Sequence, residues 1–137
     1  MALAGINRAT GKRHIRVYDS AGTIAAGDTV QFNESGEVVV GAAGAEILGL
    51  ALESATSTTT VTVDVAYPGD EFTFPIEAGT MATATLGTEI DLNSADGVDV
   101  GLSTNDDVMV TLWDKISTTT GNVTGTFRRL AVSAGVV

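Results

Sequence analysis

The chain has no cysteine, one histidine, one tryptophan and two prolines, and aromatics are only 5% of its 137 residues. Without cysteine there is no disulfide, thiolate metal site or thiol nucleophile, which fits a protein folding in a reducing cytoplasm. A nucleophile–base pair needs an oriented imidazole or its equivalent, and His14 lies in a short basic stretch ill suited to hold one. No run approaches the roughly 18 apolar residues of a membrane span, so no membrane association is expected. The start, Met1 to Arg8, lacks the continuous apolar core of a signal peptide. No nucleotide-binding glycine pattern occurs; Gly41-Ala42-Ala43-Gly44 has neither the spacing nor the lysine. These gaps point away from an enzyme and toward a binding or structural protein without a cofactor.

Basic residues are also scarce, and their placement is the main signal. Arg8, Lys12, Arg13 and Arg16 fall within the first sixteen positions, which hold no acid. The rest carries all seventeen Asp and Glu against Lys115, Arg128 and Arg129, so +4 precedes −14 and the net charge is −10. A cationic arm over residues 1–17, including a first strand, thus leads into an acidic body over 18–137. Such an arm suits docking on an acidic protein surface, while the body repels phosphate, which argues against nucleic acid as partner.

What is abundant is threonine, valine and glycine. The twenty Thr are stiff at χ1 and favour pleated surfaces. Short alternating runs recur between turn signals. His14 to Tyr18 alternates, Thr29–Phe32 and Glu37–Val40 flank Asn33-Glu34-Ser35-Gly36 as a hairpin, and Thr60–Ala66 sets valines against Thr and Asp. Ala45–Leu52 is continuously apolar, a buried strand or short helix, with Gly49 favouring the strand. Tyr67-Pro68-Gly69-Asp70 has type II turn chemistry. Further strands are expected over 71–76, 81–86, 88–92, 98–102, 108–116 and 123–132, with Pro75 marking an edge or a break. The expectation is an all-β fold, a small barrel or a sandwich of about ten short strands. Ser57–Thr60 and Ser117–Thr120 are similar threonine tracts, which propensity alone explains.

Two weaker signals concern ligands and partners. Asp91 to Gly97 begins like an EF-hand loop, but Ala95 sits at its fifth position, the glycine is one residue late and the terminal Glu is missing. Turn chemistry accounts better for Asp91, Asp96, Asp99, Asp106 and Asp107, so no metal is expected. Strict alternation over Val108–Asp114 sets Val108, Val110 and Leu112 against Met109, Thr111 and Trp113. Trp113 then either faces out at a subunit contact or caps a barrel end. A body of this charge associates only by burying apolar surface, and Met109, Trp113, Phe127 and Leu130 are the candidates.

The series Gly27-Asp28-Thr29-Val30, Gly36-Glu37-Val38-Val39, Ile47-Leu48-Gly49-Leu50-Ala51 and Pro68-Gly69-Asp70-Glu71-Phe72 resembles the head-decoration, or capsid cement, proteins of tailed bacteriophages. The resemblance covers residues 14–76 and rests on strand-and-turn grammar rather than a catalytic signature. It implies a small β-barrel or β-tulip body, made in the bacterial host cytoplasm and carried on the capsid exterior of the virion. It further implies a homotrimer that binds the major capsid protein of the expanded shell and bridges capsomers, with the arm (Arg8, Lys12, Arg13 and Arg16) contributing contacts. A carbohydrate-binding or adhesin-like surface module is the alternative, for which the aromatics are few.

Overall fold

The computed structural model describes residues 5–57, 59–79, 87–114 and 121–132, with backbone only for 112–114. The chain is all-β, with no helix among these residues and therefore none long and apolar enough to cross a membrane. Eleven strands form: β1 (Asn7–Arg8), β2 (Ile15–Asp19), β3 (Thr29–Phe32), β4 (Val38–Val40), β5 (Gly49–Ala51) and β6 (Thr60–Val65). They are followed by β7 (Phe72–Ala78), β8 (Glu89–Ser94), β9 (Gly97–Asp99), β10 (Val108–Asp114) and β11 (Asn122–Phe127).

The strands divide between two sheets. One runs β7-β11-β10-β8-β9 and closes into a five-stranded barrel because β9 returns to pair in parallel with β7; β1 adds to β7 as an extra strand. Alternation fills the barrel: Phe72, Phe74 and Ile76 of β7 point inward with Val123 and Phe127 of β11 and Val108 and Val110 of β10. The other sheet runs β2-β6-β5-β3-β4 and curls until Ser20 bridges Val38. Val61, Val63 and Val65 line its inner face with Val30, Val38, Ile24 and Leu48, and Tyr18 packs on that cluster. Leu50 and Ile47 belong to the barrel's cluster instead, so the two sheets share a packed seam.

Both predicted turns form. In the β3–β4 hairpin Gly36 takes a φ of 77° and the Asn33 side chain accepts the N–H groups of Ser35 and Glu37. At Tyr67–Asp70, Gly69 has a φ of 91° and Asp70 N–H donates to Tyr67 O. Gly49 is required for another reason: a Cβ there would collide with the Asp64 carbonyl on β6. Ala45–Leu52 accordingly contributes a strand, β5, and not a helix.

Three expectations need correction. Pro75 lies in the middle of β7, between β11 and the β1/β9 side. Ile76 N–H donates to Gly121 O, so the position before it faces away from β11. There it falls between β1, which pairs with Phe72 and Thr73, and β9, whose pairing begins at Ile76, and the missing N–H interrupts no ladder. Strict alternation also fails along β10, where the register shifts between Val110 and Leu112 and sets Trp113 opposite Val123. Finally, residues 5–17 do not stand apart from the body: β1 pairs with β7, β2 pairs with β6, and Ile6 is buried in the barrel core. The expected strand over 81–86 and the second threonine tract lie outside the described residues.

Candidate docking surface

The basic segment folds in two parts with different fates. Its first part is tied down. Ala9 and Thr10 N–H both donate to Glu71 O, and Glu71 N–H returns a bond to Thr10 Oγ1. Arg8 is thereby drawn over β6, where its side chain is 6% exposed and Asp64 beneath it 1%. Arg8 Nε and Nη2 donate to Asp64 Oδ2 and Oδ1 at 2.9 and 2.8 Å, and Nη1 lies 3.0 Å from Asp70 Oδ2. The guanidinium also lies over the Phe72 ring, 4.9 Å from its centroid. The Asp64 hydrogen bonds raise the Arg8 pKa above its ordinary value; burial opposes them and Asp70 adds to them. His14 completes the anchor, with N–H to Asp64 Oδ1 and its ring against Tyr67 at 4.5 Å.

The second part is exposed. Lys12, Arg13 and Arg16 lie at the surface and form no ion pair, whereas Arg128 meets Glu89 and Arg129 meets Asp107. Among the described residues the unpaired cations are therefore confined to positions 12–16. Ile15 and Val17, on either side of Arg16 in the chain, are 49% and 63% exposed on β2. Pairing with β6 puts Tyr18 opposite Val61 and turns it to the core cluster, which leaves Ile15 and Val17 opposite Asp64 and Thr62 on the outer face.

Of the four arm residues expected to meet a partner, Arg8 is thus corrected: it is consumed inside the chain by Asp64 and Asp70. Ile15 and Val17 were missed as surface residues. Their only signal was the apolar period of two, which reads the same whichever face is inward.

The apolar contact candidates also separate. Phe127 is 6% exposed and packs tilted against Phe72 and edge-on against Phe74, ring centroids 5.1 and 5.3 Å apart, so it belongs to the barrel core and offers no face to a partner. Met109 is half-buried on β10, beside Thr126 and Glu89. Leu130 is half-buried against the barrel core and bridges Ile47. The Trp113 side chain lies outside the described ones.

Asp91, which opens the EF-hand-like stretch, and Asp107 beyond it are occupied by the chain itself. Asp91 accepts N–H groups from Thr104, Asn105 and Asp106, and Asp107 accepts those of Gly44 and Leu92 together with Arg129 Nη2. Among the described residues no three acidic, histidine or cysteine side chains are grouped to hold a metal ion. In comparisons with protein-family models and with curated proteins, nothing matches the chain.

Proposed function

We propose that the chain is a structural virion protein that binds the exterior of an expanded capsid and stabilises it by bridging capsomers. One observation carries the reading: Lys12, Arg13 and Arg16 form an exposed, unpaired basic strip on a body of strongly negative charge. A strip of this kind meets an acidic protein surface in one orientation, because the rest of the molecule repels it. Its partner in this reading is the major capsid protein, and the chain acts as a homotrimer with Met109, Leu130 and Trp113 as candidate subunit contacts. Each exposed ion pair is worth only about 0–1 kcal/mol, so attachment draws its strength from repetition across a multimer.

The test is occupancy of purified expanded shells by a variant with Lys12, Arg13 and Arg16 changed together to Glu. Arg8 is left intact, since its loss would perturb folding. Occupancy should fall sharply with the fold retained; wild-type occupancy by the reversed variant would rule the reading out.

A further inference from the structure

Among the described residues, the main chain of β2 is open along one side. Val65 N–H donates to His14 O and Ser20 N–H to Thr59 O, which fixes the parity of the β2–β6 ladder. The even-numbered residues of β2 face β6, so the N–H and C=O of Ile15 and Val17 point the other way. β4 begins at Val38, opposite Ser20, and runs on in the direction of β2, which leaves Ile15 and Val17 uncovered. Their side chains are the two most exposed β-branched ones in the structure's set of large apolar residues. Arg16 Nη1 donates to Ile15 O at 2.9 Å, so an exposed cation tends this edge where another strand would cover it.

We propose that this edge accepts an extended, acidic segment of a partner polypeptide as an added strand beside β2. Main-chain bonds from Ile15 and Val17 would hold the segment, and Lys12, Arg13 and Arg16 would select its charge. The occupant follows from charge: a second copy would set three unpaired cations against the same three, on chains of net charge −10. The proposal rests on the capsid reading for the partner's identity, and supplies the way in which the strip is engaged.

Two synthetic nine-residue peptides test it, alternating valine with glutamate in one and with lysine in the other. Amide exchange is followed by NMR on the full chain. The glutamate peptide should slow exchange at Ile15 and Val17 by about tenfold or more, and the lysine peptide should not. Val17→Pro removes an outward N–H without touching the ladder to β6, and should abolish the protection; Val17→Thr should keep it. No protection by either peptide, equal protection by both, or protection that grows with protein concentration alone would each overturn the proposal. Should Val17→Pro fail to fold, the two peptides on the wild-type and Val17→Thr chains still decide. Expanded shells separate the two readings: full occupancy by folded Val17→Pro overturns the added strand alone. Protection by the glutamate peptide without shell binding by the wild type supports the added strand and refutes the capsid partner.

Discussion

The Arg8 guanidinium meets the Asp64 carboxylate side-on, with two nearly parallel hydrogen bonds of 2.9 and 2.8 Å. Arg8 lies on β1, an extension of the barrel, and Asp64 on β6 of the second sheet. One buried ion pair therefore fastens the two sheets, and it also accounts for how a strand alternating Val with Thr and a single Asp tolerates a carboxylate at 1% exposure. A planar fork suits this task because it satisfies both carboxylate oxygens in fixed geometry, while Asp70 takes the remaining nitrogen.

Arg8→Ala should destabilise the chain by about 3–5 kcal/mol, since it leaves Asp64 buried and unpaired. Arg8→Lys should be intermediate, keeping the charge but not the fork. The double variant Arg8→Ala/Asp64→Ala should lose clearly less than the sum of the single changes. Urea denaturation measures all three, and a cost below about 1 kcal/mol for Arg8→Ala would show that the pair does not anchor the segment.

The sequence made the all-β class legible, because valine and threonine runs at a period of two, closed by glycine and asparagine turns, leave no other economical reading. It did not reveal which face of β2 is inward: that depends on its register with β6, 41 to 49 positions further on, and both faces of His14–Tyr18 carry something able to pack. The basic strip was visible as charge, but its division was not. Arg8 and Lys12 look alike in composition, and only the contacts with Asp64 and Asp70, 56 and 62 residues away in the chain, take Arg8 out of the surface. Phe127 failed for a similar reason, since its inward direction follows from pairing with Val108 across β10 and from the rings of Phe72 and Phe74.

Asp91 should prove structural. Its carboxylate holds the loop after β9 by accepting three successive N–H groups, and Asp106 there is the one non-glycine residue with positive φ, at 53°, among those described. Asp91→Ala should lower stability by about 1–3 kcal/mol through donors left without this partner. Hydrogen exchange should rise first at Asn105 and Asp106. Unchanged protection there would show that the loop holds without its carboxylate.

Asp28 should make the chain less stable as acid is neutralised. Burial raises its pKa above the ordinary 3.8; the Ala25 N–H bond works against this, and the nearby Asp96 adds to it. The folded state then binds the proton more tightly than the unfolded one. The contribution is fully present below the unfolded value and is lost as pH rises through the folded one. Asp28→Asn, whose amide oxygen can still accept from Ala25, should match the wild type at about pH 3 and exceed it by up to about 1 kcal/mol at about pH 7. Denaturant titrations at the two pH values check this; a variant weaker at neutral pH would mean the Ala25 bond requires the charge.

Under the proposed cementing role the chain must also bind the intact shell better than the ruptured one, for only that difference protects the particle. By mass action, a ligand with equal affinity for both states would change nothing, however tightly it bound. Particles lacking this protein should therefore assemble and package DNA, yet release it at lower temperature than decorated ones. The effect should saturate with occupancy and need no nucleotide or turnover. Adding back the purified chain should restore resistance, and the variant with Lys12, Arg13 and Arg16 reversed should restore little at equal concentration. Weak contacts repeated over a whole shell suffice for a measurable shift, because each copy bound across a capsomer boundary must be torn for the boundary to open. Light scattering and dye access to DNA during heating follow the release directly. If bare and decorated particles open at the same temperature, the chain does not cement the shell, and the basic strip serves attachment to some other acidic surface.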